Sequence, residues 1–375
     1  MRFVHSADWQ IGKVFRQFGT KEEPLRLARF AAIERLGEHA RQQGANHILV
    51  AGDIYDSDMP TGITLRAPIE RMRQYPDIDW HLIPGNHDPH RPEGVWERLL
   101  HTDLPAHIHL HLTPEPAELA PGAVLLPAPL LRKTEFDDLT AWFDGAVTAP
   151  GCLRIGLAHG AITSFGSEGE ATNPIDSGRA AKARLDYLAL GDWHRTLQTG
   201  PQTWYAGTPE PDRAGGQERG TALLVDIAGP GAPASVTPFT TGTYRWLTRT
   251  ERLDTPEQLP DLERRLRDEP DLPRLILRLR LEGSLPLAGQ ADLQRRLNEL
   301  EAALFHLDMD RTGLLARPTQ ADLEAIDFDG VVRRSAERLR TLADDTAQSS
   351  TLRHRAQEAL VELYLRVSVP NDEAA

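Results

Sequence analysis

Cysteine is almost absent: the 375 residues hold one, Cys152. A lone thiol rules out an internal disulfide framework and any zinc site built from several thiolates. Its ordinary place is as a small core residue, not as a nucleophile. Long apolar runs are missing too, since no stretch approaches the roughly 20 apolar residues of a membrane-spanning helix. The chain opens without a basic segment leading into an apolar one; it runs directly into Phe3-Val4 and then Asp8. Cytoplasmic residence, with no membrane partner, is the expectation. Excess positive charge is likewise lacking, the formal net charge being −13. That argues against a generic nucleic-acid coater, which needs a basic surface. A nuclease remains compatible, because carboxylates that ligate cations are partly neutralised by them. Its contacts with nucleic acid would then rest on local basic patches. No internal repeat is visible.

What is present is a series of five short polar clusters, each following an apolar run that reads as a buried strand. They are Asp8-Trp9-Gln10 after Phe3-Val4, Gly52-Asp53 after Ile48–Ala51, and Gly85-Asn86-His87-Asp88 after Trp80–Ile83. His159-Gly160 follows Ile155–Ala158, and Gly191-Asp192-Trp193-His194 follows Tyr187–Leu190. Strand ends in an α/β sheet are where ligands from distant segments converge. Singly, each cluster has a bland reading: a turn at Gly52-Asp53, a cap at Asp8, a structural histidine at 159, a polar turn at Asn86-His87-Asp88. Together they carry only oxygen and imidazole donors, in repeated strand-end placement.

The first ~240 residues alternate strand-like and helix-like patterns, the mark of α/β layering. Leu25 to Gln43 places Leu27, Phe30, Ala31, Ile33 and Leu36 at near-helical spacing, and Arg66 to Gln74 reads as a shorter helix. The polar stretch Ser164 to Ala183 predicts a mobile loop beside the site. Thr203–Ala206, Thr221–Ile227, Ser235–Phe239 and Tyr244–Thr250 predict short strands that complete a second sheet. His107-Ile108-His109-Leu110-His111 alternates like an exposed strand. Beyond residue 250 the style changes: a helix starting at Thr255-Pro256-Glu257, a strand from Leu275, an amphipathic helix over Ala288–Ala303, and a strand over Leu304–Arg311. Two more helices are predicted over Val331–Asp345 and Leu352–Val367. On the last, Leu352, Ala356, Ala359, Leu360, Leu363 and Val367 form one stripe, which either packs on its own domain or docks on a partner.

Two divalent ions about 3.5–4 Å apart can clamp a phosphate and acidify a bridging water. One carboxylate must bridge them, and Asp53 is the choice, following a glycine that lets backbone approach closely. Asp8 and Gln10 lie two residues apart and can face one metal. Asn86 offers an amide oxygen and His159 an imidazole, while Asp192 and His194 can serve one metal each. His87 suits the role of general acid better than that of ligand, with Asp88 orienting its ring and raising its proton affinity. The nucleophile is then the metal-bridging hydroxide attacking phosphorus.

These clusters resemble the calcineurin-like metallophosphoesterase superfamily over residues 1 to about 226. The opening Phe3–Lys13 is similar to the DNA double-strand-break repair nucleases of the SbcD type. So are Gly52-Asp53-Ile54-Tyr55-Asp56, Pro84-Gly85-Asn86-His87-Asp88, and Tyr205-Ala206-Gly207-Thr208-Pro209 followed by Glu218-Arg219-Gly220. The resemblance implies an α/β fold, a two-sheet β-sandwich flanked by helices. It also implies a small α+β capping domain and C-terminal helices that bind a coiled-coil, SMC-like ATPase. The domain expectation is nuclease 1–250, cap 251–315 and helical segment 320–368. Carried onto matching positions, Asp8, Gln10, Asp53 and His194 hold one metal; Asp53, Asn86, His159 and Asp192 hold the other. The family usually has histidine at the places of Gln10 and Asp192. Both replacements make the ligands harder, which favours Mn²⁺ first and Mg²⁺ second. They also leave the Gln10 position the weaker one.

The leading expectation is a metal-dependent DNA exonuclease or endonuclease in DNA repair, a homodimer working with the ATPase. The alternatives are a phosphoesterase for a small nucleotide or other phosphoester, and a non-catalytic scaffold for an ATPase. A basic track would favour DNA; Arg179, Lys182, Arg184, Arg213 and Arg219 are its candidates, against the reading of scattered surface arginines.

Overall fold

The computed structural model describes residues 1–163, 172–317, 319, 322 and 330–368. They form two compact units, Met1–Arg245 and Trp246–Ala375, and the helical segment expected as a separate part lies within the second.

In the first unit the apolar runs become strands β1 (Arg2–Ser6), β2 (His47–Val50), β3 (Asp79–Leu82) and β4 (Ile108–Leu110), which lie side by side and parallel. A second sheet is built from β5 (Ala117–Ala120), β6 (Ala123–Ala128), β7 (Leu153–His159), β10 (Tyr187–Gly191), β11 (Leu197–Gly200) and β12 (Thr203–Tyr205), in the order β11-β12-β10-β7-β6-β5. A small pair, β8 (Ala161–Ile162) and β9 (Pro174–Ile175), stands apart. Phe3, Leu49, Ile83, Leu125, Leu157, Tyr187 and Val225 fill the space between the two sheets. The outer face of the first sheet is covered by α1 (Glu22–Gln43), α2 (Gly62–Met72) and α3 (Val95–Leu100), through Ile33, Leu36, Ile69, Met72 and Trp96. Short α4 (Arg179–Lys182) lies against the second sheet. The result is an α/β two-sheet sandwich flanked by helices.

Four local expectations change. The buried stripe of α1 is Leu25, Ala28, Ala32, Ile33, Leu36 and Ala40, an i, i+3/i+4 row, while Leu27 is half exposed. The strands after residue 215, β13 (Arg219–Asp226) and β14 (Ser235–Leu253), join the first sheet through β1 and not the second. β14 is also one strand where two were expected. The gap between them, at residues 240–243, is a register irregularity opposite Arg219–Thr221. Of the loop expected over Ser164–Ala183, residues 164–171 lie outside the described residues, and the rest contains β9 and α4.

The histidines of β4 are not a plain exposed face. His109 stacks on His81 at 4.7 Å and pairs with Asp79 at 2.7 Å. His81 Nδ1 meets His111 Nε2 at 3.0 Å, and His81 Nε2 meets His47 Nδ1 at 3.3 Å. Burial lowers the proton affinity of His47, His81 and His111: His81 falls well below its ordinary 6.5, and His111 goes from 6.5 to about 4. The folded protein therefore refuses protons that the unfolded chain accepts. Stability is whole above pH 6.5 and is lost as the pH falls towards 4, with His111 alone contributing on the order of 3 kcal/mol. Urea melts across that window should show the decline, and it should be shallower in His111→Gln. An identical decline in the variant would refute the assignment.

In the second unit, α5 (Leu259–Arg267), β15 (Leu275–Leu285), α6 (Leu287–Glu301) and β16 (His306–Ala316) enclose a leucine core. The helix start expected at Thr255 is a capping box with Gln258. Helices α7 (Val331–Asp344) and α8 (Ser350–Ser368) follow. Ala356, Leu360 and Tyr364 of α8 are buried, and Leu360 and Tyr364 cluster with Leu287 and Ala336 of the same unit. Leu352, at the start of the stripe, is exposed, and the side chain of Val367 is outside the described residues.

Candidate metal centre

The parallel strands carry the polar clusters to one end of the sandwich. Asp8 and Asp53 follow β1 and β2, Asn86 follows β3, His159 closes β7, and Asp192 follows β10. The loops lock one another: Asp8 N–H donates to Gly52 O (3.1 Å), Gln10 N–H to Asp53 O (2.9 Å), and Asp192 N–H to Asp8 Oδ1 (3.1 Å). Asp8, Gln10, Asp53 and Asp192 all have left-handed backbone, with φ of 55°, 46°, 54° and 98°. They are four of the eight such non-glycine residues among the described residues, so unusual backbone is concentrated at this end of the fold. Gly85 is obligatory for a steric reason: any Cβ there would overlap Asp53.

Asp8, Asp53 and His159 each offer a ligand atom, all within 4.8 Å of one another, and all three are buried. His159 Nδ1–H donates to Ala51 O (2.8 Å), which turns Nε2 towards the centre. From Nε2 it is 3.2 Å to Asn86 Oδ1, 3.6 Å to Asp53 Oδ1 and 3.7 Å to Asp192 Oδ1. On the other side, His194 Nε2 lies 3.9 Å from Asp8 Oδ1 and 3.2 Å from Gln10 Nε2. All seven residues expected as ligands thus stand around one centre.

Its electrostatics are those of crowded carboxylates. Burial, against the pull of His194 and His159, raises Asp8 to about 6, and burial raises Asp192 as well. Burial alone would lower His159, but Asp53, Asp8 and Asp192 outweigh it and raise the imidazole to about 9. The cluster collects positive charge, and a hard divalent cation fits its oxygen and imidazole donors.

His87 stands at the rim, half exposed. Its backbone N–H donates to Asp53 Oδ1 (2.8 Å), and its Nε2 is 4.0 Å from Asp53 Oδ2. The orienting contact expected from Asp88 comes from Asp56 instead: His87 Nδ1–H donates to Asp56 O (3.2 Å). The Asp88 carboxylate turns inward, accepting from Gly85 N–H (2.6 Å) and Tyr55 N–H (3.0 Å). Two loop amides would otherwise be buried without acceptors, and Asp88 satisfies them. Burial pushes its carboxyl well above the usual range.

Sequence reading missed three neighbours. Asp212 Oδ1 accepts from His194 Nδ1 (3.4 Å), the arrangement in which a carboxylate orients a ligating imidazole. Burial pushes Asp212 up, yet His194, Lys13 and Arg29 hold it far below the usual carboxylate range. Lys13 Nζ donates to Asp212 Oδ2 (2.6 Å) and Gln10 Oε1 (2.8 Å). Asp56 is the third. The signal was Asp212 closing the Thr208–Asp212 run just past β12, beside a quoted motif. Of the candidate basic track, Arg179 is consumed internally, donating to Thr140 (2.9 Å), Asp144 (2.6 Å) and Asp138 (2.7 Å). Lys182 pairs with Asp176. Arg213 does lie near the centre, where its charge acts on His194.

Among the described residues no helix is long and apolar enough to cross a membrane. The SbcD component of the nuclease SbcCD of Rhodobacter capsulatus is 28% identical over 395 aligned positions, covering 90% of this chain and 93% of that protein. Its counterpart in the nuclease SbcCD of Escherichia coli is 27% identical over 248 positions, covering 56% of this chain and 61% of that one. An uncharacterized metallophosphoesterase of Bacillus subtilis, YhaO, is 25% identical over 209 positions, covering 52% and 49%. The family model for calcineurin-like phosphoesterases matches residues 1–205, the span that supplies every expected ligand. With more than half of its length accounted for in this way, the chain belongs to the calcineurin-like phosphoesterase family.

Proposed function

We propose that this phosphoesterase is a metal-dependent DNA nuclease of the double-strand-break repair type, a homodimer acting with a coiled-coil ATPase. The observation that carries the hydrolytic reading is the convergence of Asp8, Asp53 and His159 donors within 4.8 Å at the ends of three strands. Asp53, Asn86, His159 and Asp192 would hold one ion; Asp8, Gln10, Asp53 and His194 would hold the other. Bound ions, Mn²⁺ for preference, supply Lewis acidity towards phosphorus and a deprotonated water at neutral pH. His87, anchored at Nδ1, would give a proton from Nε2 to the leaving oxygen. Asp88 acts through the Gly85 and Tyr55 amides, which shape the loop that presents Asn86 and His87.

DNA as substrate is supported by the two SbcCD nuclease components among the similar proteins, one matched along 93% of its length. The net charge of −13 confines any DNA contact to local cations such as Arg213. The test is incubation of the full chain with end-labelled single- and double-stranded DNA and Mn²⁺, alone and with the ATPase encoded beside it. Cleavage is expected. Hydrolysis of a chromogenic phosphodiester with no cleavage of either DNA would transfer the reading to a small phosphoester. Inertness towards all of them would leave the scaffold reading.

A further inference from the structure

Lys13 stands where the charge balance of the centre is set. Its ammonium donates to Gln10 Oε1 (2.8 Å) and Asp212 Oδ2 (2.6 Å), and lies 3.8 Å from Asp56 Oδ1. The other terminus of the Gln10 amide faces His194 Nε2 at 3.2 Å. The amide is therefore engaged at both ends. Flipping it would set its NH₂ against an ammonium, donor against donor, so Lys13 fixes which way it points. A dication on Gln10 Oε1 would sit within about 5 Å of Lys13 Nζ, a limit set by the 2.8 Å hydrogen bond and a metal–oxygen bond of about 2 Å. The two positive charges would repel in a partly buried setting where screening is weak. Among the described residues no lysine or arginine bonds to the ligands of the Asp53–His159 side, where His159 Nε2 meets Asn86, Asp53 and Asp192.

We propose that the centre binds one divalent ion firmly on its Asp53–His159 side, while the Lys13 ammonium is the resident cation on its Gln10–His194 side and keeps a second ion weak. In this arrangement the Gln10 oxygen is spent on Lys13 until a second ion displaces the ammonium, and Asp212 anchors both Lys13 and His194. The inference rests on the phosphoesterase reading above, but its test separates the two.

Metal-free full-length protein is titrated with Mn²⁺ alone, with bound ions counted by equilibrium dialysis and their coupling followed by electron paramagnetic resonance. The wild type should take up one ion per chain, with the hyperfine pattern of isolated Mn²⁺. The second should enter only at concentrations at least about tenfold higher, a gap of one decade in affinity. Lys13→Met should strengthen the second site about tenfold, and an exchange-coupled signal should emerge at two equivalents. Gln10→His, which adds an imidazole and releases Lys13, should do the same and guards against a misfolded Lys13 variant. Two ions bound equally by the wild type would overturn the proposal. So would a second affinity unchanged in both variants. Failure of the wild type to bind any Mn²⁺ would instead overturn the phosphoesterase reading, and this proposal with it.

Discussion

Asp53→Ala is expected to abolish metal binding and phosphoester hydrolysis together. Asp53 is the carboxylate on which the centre turns: its Oδ1 lies 3.6 Å from His159 Nε2 and accepts the His87 amide at 2.8 Å. It is 2% exposed, so no solvent-facing group stands ready to replace it. Losing an outer-shell partner of a metal ligand costs about 10–100-fold in affinity, and losing a shared ligand should exceed that range. Alanine at φ 54° adds a backbone penalty of about 1–2 kcal/mol. Asp53→Asn is the informative companion, since it suits the same backbone and keeps an oxygen while discarding the charge. Calorimetric titration with Mn²⁺ and hydrolysis of a chromogenic phosphodiester read both effects. Undiminished Mn²⁺ affinity in Asp53→Ala would remove Asp53 from the centre.

His87→Ala should separate what Asp53→Ala joins. Metal uptake should match the wild type while turnover falls by about 10²–10⁴-fold, the usual worth of a positioned acid or base. The imidazole is held by Asp56, at the rim, with Nε2 4.0 Å from Asp53 Oδ2. It stands outside the tight donor group of Asp8, Asp53 and His159, where it can meet a phosphate oxygen once substrate is bound. Near-normal turnover would dismiss the acid role, and a parallel loss of Mn²⁺ would make His87 a ligand. The orienting acceptor is the backbone carbonyl of Asp56, which Asp56→Ala retains, so that variant should slow turnover far less than His87→Ala.

The strand-end clusters were readable because local chemistry announces them. Ala51, Ile83 and Leu190 end apolar runs, and glycine or aspartate punctuation follows within three residues. The same local signals hid Asp212, Lys13 and Asp56. Lys13 and Asp212 are 199 residues apart, and His87 and Asp56 are 31 apart, so neither contact has a periodic trace. The Asp88 assignment went astray for a related reason. Adjacency in sequence suggested contact with His87, whereas the loop sends consecutive side chains in opposite directions and spends the carboxylate on its own amides. Strand β14 was divided in two, with residues 240–243 left between the halves; in the sheet these residues lie at a register shift, where Gly242 packs closely on Gly220. The histidine row looked exposed because alternation on one strand says nothing of what neighbouring strands present, and His47 and His81 close that face.

The left-handed conformations at Asp8, Gln10, Asp53 and Asp192 bear on any attempt to transplant this chemistry. Grafting the side chains alone onto another sandwich would fail, because an ordinary strand exit aims them elsewhere. The transferable unit is the set of mutually pinned hairpin-like exits, with Gly52 and Gly85 included, and only aspartate, asparagine and glycine settle easily into such backbone. Engineers who borrow the centre should therefore copy the bends first and choose donors afterwards.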